Sequence, residues 1–325
     1  MSYLDINKNK IFKKYTTSEL LKDIDNYKNK SGNLNKVLNH FFEECIFKCC
    51  GKKTKISPYE VLQDDDKMSI IIDYINSKPK FFTSKDEVSN VKSCFRNSMS
   101  WVRKVANFPC RTAKDIYLKY IPKEYIESGK QINCLDTSMG FGSRMSAVLL
   151  SGNNYFGFDP NTELFNKLQE YLKFLFDNGV INKNQQCKMY CCGSEIHKPE
   201  LDNTIDISFT SPPYFNLEKY SNDASESTLN YNNYRAWVDK FVIPTVNNTY
   251  KYLKIGGYAM INIKDINKKE TCYQDFMNAF NSIDGFEYIE TFDLVISKKQ
   301  YGMLYNNVKG VINNTEPVMV FKKVR

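Results

Sequence analysis

One stretch decides the fold of this chain, and it reads Ile205-Asp206-Ile207-Ser208-Phe209-Thr210-Ser211-Pro212-Pro213-Tyr214-Phe215. Alternating polarity and β-branched side chains predict a strand over residues 205–209. Two consecutive prolines then remove backbone donors and prevent a helix, so the chain must leave the sheet at Ser211. Because Pro212 and Pro213 fix φ, the carbonyls before and within the pair point in set directions beside the ring of Tyr214. The corner therefore predicts a polar and stacking clamp for a flat group with an exposed amino group, and a loop whose aromatic residues merely pack is the alternative.

A glycine-rich turn lies upstream, where residues 133–144 read Asn-Cys-Leu-Asp-Thr-Ser-Met-Gly-Phe-Gly-Ser-Arg. A strand over residues 132–135 runs into Asp136, and the Gly140-x-Gly142 turn then opens a helix. Glycine permits positive φ and a close approach of the backbone to a ligand, and the start of a helix presents N–H groups without partners. The third glycine of a dinucleotide fingerprint would stand at Met145, so a pyrophosphate cradle is disfavoured.

A second acid follows about twenty residues later, in the sequence Tyr155-Phe156-Gly157-Phe158-Asp159-Pro160-Asn161. The short strand ends at Asp159, where a carboxylate is placed to accept hydrogen bonds from ribose hydroxyls. The two strands, their two acids and the Gly-x-Gly turn together predict a nucleoside-type cofactor that is not a dinucleotide.

From residue 112 onward, the sequence predicts alternating strands and helices. Strands are predicted over residues 132–135, 155–158, 188–190, 205–209, 257–263, 288–296 and 316–322, with helices over residues 112–121, 143–150, 162–176, 234–253 and 274–283. Such alternation predicts an α/β fold with a parallel sheet covered on both faces by helices. Only a loop separates the last two strands, so we expect them to form an antiparallel pair at one edge.

Residues 1–106 differ from the rest in pattern and charge. Helices are predicted near residues 17–27, 34–50, 56–75 and 85–95, which indicates a mostly helical N-terminal domain ahead of a catalytic domain over residues 107–325. Residues 1–107 hold 20 Lys and Arg against 13 Asp and Glu, whereas the remainder holds 25 against 24. This asymmetry favours nucleic-acid recognition by the N-terminal domain, and a lysine-rich solvated face is the alternative. Trp101, Arg103 and Lys104 suit either packing against the next domain or a phosphate contact.

Composition limits the class of protein. With 42% hydrophobic and 25% charged residues in 325, the chain is long enough to bury a full core. No apolar run reaches the roughly 18 residues of a membrane span, and the polar start lacks the apolar segment of a secretory signal. We expect no membrane association and an intracellular location, cytoplasmic or, for a eukaryotic or viral source, nuclear or in a viral factory. The ten cysteines are then expected to be reduced thiols.

Two other chemistries have weaker support. The spacing of Cys45, Cys49 and Cys50, repeated at residues 187–192, is irregular for zinc, and the chain has only two histidines, so no metal is expected. A hydrolytic role for Ser211 would need a histidine base, and neither histidine stands in a recognisable motif.

Taken in order, Asp136 to Arg144, Asp159 and Ser211-Pro212-Pro213-Tyr214 resemble the S-adenosylmethionine-dependent DNA methyltransferases that act on exocyclic amino groups, cytosine-N4 or adenine-N6. The resemblance covers roughly residues 107–325 and includes Phe108-Pro109. It implies a seven-stranded Rossmann-like methyltransferase sheet with an antiparallel last strand, and the predicted strands agree with that number. Arg144 departs from the pattern, since many relatives carry Thr there.

The resemblance also implies roles for single residues, with S-adenosyl-L-methionine as the cofactor. Its methionine end would meet the Gly-x-Gly turn, its ribose would meet Asp159, and its adenine would lie near Gly193 and Ser194. The implied cofactor-binding residues are Phe108, Asp136, Ser138, Gly140, Gly142, Asp159, Asn161, Gly193 and Ser194.

The implied catalytic residues are Ser211, Pro212, Pro213 and Tyr214. Ser211 and the Pro212 carbonyl would accept hydrogen bonds from the target amino group, and Tyr214 would stack on a base flipped out of double-stranded DNA. A conjugated amine is a poor nucleophile, and two acceptors out of the ring plane favour a nitrogen whose lone pair can attack a methyl group in line. Residues 215–233 are too polar for a core, and we expect them to cover the base pocket.

The identity of the substrate is left open by the sequence. In the family, Ser at the position of Ser211 is commoner among cytosine-N4 enzymes, so cytosine is favoured over adenine. A methyltransferase acting on RNA or on a protein glutamine, and a non-enzymatic nucleic-acid-binding module, are the remaining alternatives.

Overall fold

A computed structural model describes residues 11–29, 32–51, 56–102, 104–215, 218–219, 231–300 and 311–325. Within these ranges, no helix is both long enough and apolar enough to cross a membrane.

One large sheet forms the centre of the described residues. Its strands are β2 (Asn133–Asp136), β3 (Asn154–Phe158), β4 (Cys187–Tyr190), β5 (Ile205–Thr210), β7 (Leu253–Asn262), β8 (Phe286–Gln300) and β9 (Val311–Lys323), while β1 (Cys50–Gly51) and β6 (Glu218–Lys219) pair separately. The seven strands lie in the order β4-β3-β2-β5-β7-β9-β8. Strands β2 to β5 and β7 are parallel, and β9 is antiparallel to both of its neighbours. The predicted α/β fold, with an antiparallel last pair at one edge, is confirmed.

The sheet has a switch point between β2 and β5. From β2 the chain moves outward to β3 and β4, and it then returns to pair β5 with the other side of β2. In parallel sheets ligands bind beyond the carboxyl ends of the strands at such a point. Cys134 pairs with Ile207 and Leu135 pairs with Ser208, so the loops after β2 and β5 leave the sheet side by side.

Helices cover both faces of the sheet. They are α1 (Thr17–Asn29), α2 (Asn35–Lys48), α3 (Pro58–Gln63), α4 (Asp65–Ser77), α5 (Glu87–Ser93), α6 (Cys110–Tyr120), α7 (Lys123–Ser128), α8 (Ser143–Leu149), α9 (Thr162–Asp177), α10 (Tyr234–Trp237), α11 (Ile243–Tyr252) and α12 (Cys272–Asn281), with π-helical stretches at Cys94–Ser98 and Val238–Val242 and a 3-10 turn at Pro199–Leu201. Alternate residues of β9 show the two faces, because Val318 and Val320 pack with α6, α8 and α9, whereas Met319 and Phe321 pack with α11 and α12.

Two predicted helices are wrong in detail. The segment over residues 56–75 forms α3 and α4, because Asp64 is extended and its side chain accepts a hydrogen bond from the N–H of Lys67, which caps α4. The segment over residues 234–253 passes through a π-helical stretch between α10 and α11. The short helix α7 was not predicted.

The N-terminal helices fall into two groups. Helices α1 and α2 share a hydrophobic cluster with α6, α8 and α9, and the ring centroids of Phe41 and Tyr171 lie 5.1 Å apart. Helices α3 to α5 surround a separate cluster that includes Met68, Ile71 and Phe95. The domain boundary at residue 106 stays a prediction, and part of the N-terminal segment packs directly on the α/β layers.

A buried carboxylate joins the two groups of helices. Glu43 of α2 is 2% exposed, and it lies 2.6 Å from the ammonium of Lys92 and 3.4 Å from that of Lys104. A buried charge is tolerated only when it is paired in this way. Lys104 is therefore engaged within the N-terminal helices, and both roles that the sequence allowed for it, packing against the next domain and a phosphate contact, stay predictions.

Candidate active site

A cavity of about 470 Å³ lies at the carboxyl edge of the sheet, across the switch point. The loops after four strands and residues of two further strands contribute walls, namely Thr137, Ser138, Gly140 and Phe141 after β2, Asp159, Pro160 and Asn161 after β3, Cys191 to Glu195 after β4, Ser211 to Tyr214 after β5, Asn262 at the end of β7 and Glu316 on β9. The cavity therefore runs along the sheet edge on both sides of Ser211.

The cavity brings together most of the residues singled out in the sequence. Those that line it are Phe108, Ser138, Gly140, Asp159, Asn161, Gly193, Ser194, Ser211, Pro212, Pro213 and Tyr214. Asp136 and Gly142 are not among the described residues of its wall. The Gly-x-Gly turn and the Pro-Pro corner thus share one cavity.

The turn after β2 and the acid after β3 are bonded to each other. Gly140 adopts a φ of +54°, and its N–H donates a hydrogen bond of 3.1 Å to Asp159 Oδ2. The N–H of Asn161 donates to Asp159 Oδ1 at 3.0 Å. These donors orient the carboxylate of Asp159 at the cavity wall, and a carboxylate is an acceptor for hydroxyl groups.

Asp136 lies beneath the cavity with no exposed surface. Its carboxylate accepts from Arg144 Nε at 2.8 Å, from the Tyr155 hydroxyl at 3.0 Å, from the Thr210 hydroxyl at 2.9 Å and from the N–H of Ser138 at 3.2 Å. Arg144 also donates to the Ser138 carbonyl. Asp136 therefore holds the turn from below.

The charge of Asp136 affects its neighbours. Burial first, and then the negative charge of Asp136, raise the pKa of Tyr155 well above its ordinary value, so Tyr155 keeps its proton and acts as a donor. Arg144, the departure from the family pattern, is the cation that balances this buried carboxylate.

Packing outside the cavity explains why residue 142 is a glycine. Its φ is +73°, and a Cβ at this position would come within 2.8 Å of the Phe42 ring on α2. The second glycine of the turn thus permits the close approach of an N-terminal helix.

The Pro-Pro corner begins where β5 ends, at Thr210. The hydroxyl of Tyr214 accepts a hydrogen bond of 3.2 Å from the N–H of Lys264, which follows β7. This bond fixes the Tyr214 ring relative to the neighbouring strand. Pro212 is buried, whereas Ser211 and Tyr214 are half-buried at the cavity wall.

Glu195 is a wall residue that the sequence reasoning missed. Its Oε1 accepts from the Tyr231 hydroxyl at 3.4 Å, while its Oε2 is buried without a hydrogen-bond partner in the part of the chain that the structure describes. Burial raises the pKa of this carboxyl group above its ordinary value. The available signal was an acid close behind β4, the third strand of the parallel sheet along the chain, where side chains reach the same edge as Asp159.

Helix α2 closes one side of the cavity. Cys45, Lys48 and Cys49 contribute to the wall, and Lys48 Nζ lies 2.5 Å from Glu163 Oε1 on α9. Sequence reasoning assigned α2 to a separate domain and could not find these residues, because they precede the sheet strands by about a hundred positions.

The cysteines of the cavity are reduced, as are all ten in the chain. Among the described residues, no group of three or more His, Cys, Asp or Glu side chains is arranged to hold a metal ion.

The strand order, the antiparallel β9 and the cavity over the β2/β5 switch point define the class, a Rossmann-like methyltransferase fold. The family model for N6- and N4-methyltransferases, described as DNA methylase, matches residues 205–325. The match confirms the resemblance to the amino-methyltransferases over those residues, and with it a methyltransferase activity that uses S-adenosylmethionine.

Three solved structures to which the chain is similar are methyltransferases of low identity. An S-adenosylmethionine-dependent O-methyltransferase from Thermotoga maritima is 13% identical, with 69% of this chain and 68% of that chain covered and a TM-score of 0.41. An rRNA methylase from Streptococcus thermophilus is 11% identical, with 68% and 99% covered and a TM-score of 0.39. An N-methyltransferase from Burkholderia thailandensis, solved with S-adenosylhomocysteine, is 11% identical, with 66% and 78% covered and a TM-score of 0.37. No curated protein sequence matches the chain.

Proposed function

We propose that this protein transfers a methyl group from S-adenosyl-L-methionine to the exocyclic amino nitrogen of a base flipped out of double-stranded DNA, with cytosine-N4 as the favoured target. One observation carries the proposal: Ser211-Pro212-Pro213-Tyr214 lies in the same cavity as the Gly140 turn and Asp159. The DNA methylase match over residues 205–325 supports the substrate class. An enzyme that modifies DNA works inside the cell that holds it.

The cofactor half of the cavity comprises the loops after β2, β3 and β4. Asp159 is placed to accept from ribose hydroxyls, and the buried Glu195 Oε2, without a described partner, is an acceptor for an amino group such as that of adenine. Ser138 and Gly140 border the methionine end, and the remaining cofactor contacts come from Phe108, Asn161, Gly193 and Ser194. When bound, the cofactor supplies a sulfonium methyl group as the electrophile. Asp136 and Gly142 act through the shape of the turn.

The target half begins at Ser211. The Ser211 hydroxyl and the Pro212 carbonyl accept the two amino hydrogens, which turns the nitrogen lone pair out of conjugation and towards the cofactor half. Tyr214 stacks on the base, and its bond to the Lys264 N–H keeps the ring in place before the base arrives. Stacking on an aromatic side chain contributes about 1–3 kcal/mol per base, enough to offset much of the cost of extrusion.

Recognition of DNA is assigned to the N-terminal part, residues 1–106. Phe81 is 83% exposed at a tight turn flanked by the exposed Lys78 and Lys80, while the next residue, Phe82, is buried against Tyr74. Lysines suit phosphates, and an exposed ring suits an unstacked base or a groove wall.

The decisive experiment is methyl transfer from radiolabelled S-adenosylmethionine to duplex DNA, RNA and a protein lysate, followed by mass spectrometry of the nucleosides. The expected product is N4-methylcytosine in DNA. N6-methyladenine would change the target base, and label found only in RNA or protein would overturn the proposal.

A further inference from the structure

A carboxylate lies in the target half of the cavity, and the role given to it here rests on the proposed function. Ser211, the first residue of the Pro-Pro corner, has an uncharged side chain, so it brings no negative charge to the target amine. We propose that Glu316 of β9 supplies that charge as a further catalytic residue, and that Lys264 is its positioning residue.

Glu316 is the carboxylate of the target half by elimination. The described wall of the cavity carries four carboxylates, namely Asp159, Glu163, Glu195 and Glu316. The first three stand on elements at the β3 and β4 side of Ser211, where Asp159 accepts from Gly140 and Asn161, Glu163 pairs with Lys48 and Glu195 accepts from Tyr231. Glu316 alone of the four lies on the other side, beyond β7.

The strand register places Glu316 within reach of the amine. Thr210 pairs with Ile261 and Asn262 pairs with Val318, so Ser211 and Asn262 lie at the carboxyl edge and Glu316 lies two residues beyond it on β9. Neighbouring strands are about 4.8 Å apart and a strand rises about 3.3 Å per residue, so the Ser211 and Glu316 backbones are separated by roughly 10 Å across the sheet and roughly 7 Å along it. The Ser211 and Glu316 side chains together with an amino group can span that distance.

Lys264 prepares the carboxylate and the stacking ring together. Its ammonium lies 2.8 Å from Glu316 Oε1, and its N–H donates to the Tyr214 hydroxyl. The Glu316 side chain is 21% exposed and that of Lys264 is 43% exposed. The carboxylate is therefore the less solvated member of the ion pair, and Lys264 holds it at the cavity wall.

Asn262 stands on β7, the strand between Ser211 after β5 and Glu316 on β9. It is buried, and its Nδ2 donates to the Pro317 carbonyl at 3.1 Å, which holds the chain of β9 beside β7. This bond fixes the position of Glu316, the residue before Pro317.

The negative charge of Glu316 has a role in the methyl-transfer reaction. The amino nitrogen forms the new N–C bond as the S–C bond breaks, and the electron pair of that bond stays on sulfur. The positive charge thus moves to the nitrogen until a proton leaves it for the Glu316 carboxylate, which passes the proton to water. A fixed negative charge beside the nitrogen stabilises the transition state more than the ground state, which raises kcat.

The test is the isosteric neutral variant Glu316→Gln, assayed for methyl transfer beside the wild type. We expect kcat to fall about 100-fold, the scale for one preorganised electrostatic group, with the cofactor Kd and the unfolding temperature unchanged. The matched control is Glu290→Gln. Glu290 stands on β8 of the same sheet, forms a 2.8 Å ion pair with Lys119 and lies outside the described cavity wall. This variant should leave kcat unchanged.

A second variant separates charge from structure. Ser211→Asp in the Glu316→Gln background restores a carboxylate beside the amine and should recover at least tenfold in kcat. A kcat of Glu316→Gln within about twofold of wild type, or a loss that Ser211→Asp does not recover, would overturn the role of Glu316. Absence of transfer by the wild type itself would instead refute the proposed function.

Discussion

Thr210 donates a hydrogen bond of 2.9 Å to Asp136, and this contact joins the last residue of β5 to the last residue of β2. Both side chains are fully buried. The bond lies directly under the point where the Gly-x-Gly turn and the Pro-Pro corner leave the sheet. It therefore sets the distance between the two halves of the cavity.

Loss of the Thr210 hydroxyl is expected to destabilise the protein. Thr210→Val removes a bond to a charged acceptor, which should lower the free energy of unfolding by about 1.5–3 kcal/mol. Urea denaturation measures it. The control is Thr249→Val, which removes a buried hydroxyl bonded to a neutral carbonyl of its own helix and should cost about 0.5–1.5 kcal/mol. Equal costs for the two variants would contradict the role given to the Asp136 contact.

Substitutions in the two halves of the cavity should affect methyl transfer and cofactor binding separately. Pro212→Ala or Tyr214→Ala is expected to abolish methyl transfer while cofactor binding stays near normal, because both residues belong to the target half. Asp159→Ala is the matched variant in the cofactor half, and it should weaken cofactor binding by about 1–3 kcal/mol. Calorimetry and single-turnover transfer measure the two effects. Wild-type transfer rates in the Pro212 and Tyr214 variants would refute these assignments.

Stability should depend on pH through Glu195. Burial raises the pKa of its carboxyl group, so the folded state carries a cost whenever this group is ionised. That cost is fully present above the folded-state pKa and vanishes below the unfolded-state pKa. Glu195→Gln should therefore stabilise the cofactor-free protein at neutral pH, and the gain should shrink as the pH falls.

Urea unfolding of Glu195→Gln across a pH series checks this sign. Glu290→Gln is the control of opposite sign, because bonds from Lys119 and Tyr120 lower the pKa of Glu290. Its substitution should destabilise at neutral pH, with the difference lost in acid. A Glu195→Gln variant that is less stable than wild type at neutral pH would contradict the prediction.

The exposed turn at Phe81 should contribute to DNA affinity. Phe81→Ala is expected to weaken binding by about 1–3 kcal/mol, and Lys78→Ala or Lys80→Ala should each reduce the salt dependence of log K by about one. Fluorescence polarisation with labelled duplex at several salt concentrations measures both. Ile255→Ala is the control, since Ile255 is 71% exposed but lies early in β7, away from the carboxyl edge. An equal effect of Phe81→Ala and Ile255→Ala would remove this turn from the interface.

Much of the fold follows from local sequence. The strand before Ser211, the Gly140 turn and the acid at Asp159 depend on side-chain shape and backbone freedom within a few residues. Their placement at one sheet edge then follows from the topology of parallel strands. Local reasoning was weaker where a single polar residue divides a helix, as at Asp64.

The tertiary structure alone decided the partners of those local features. The sequence pattern assigns Asp136 and Gly142 to the cofactor site, and only the structure shows that Arg144 pairs with Asp136 and that the Phe42 ring lies beside Gly142. Glu195 and Glu316 carry no motif. The sequence by itself determined the elements and the reacting corner, because these depend on neighbours along the chain. Only packing decided which distant side chains hold or line the cavity, because that depends on how helices and strands far apart in sequence fill the same space.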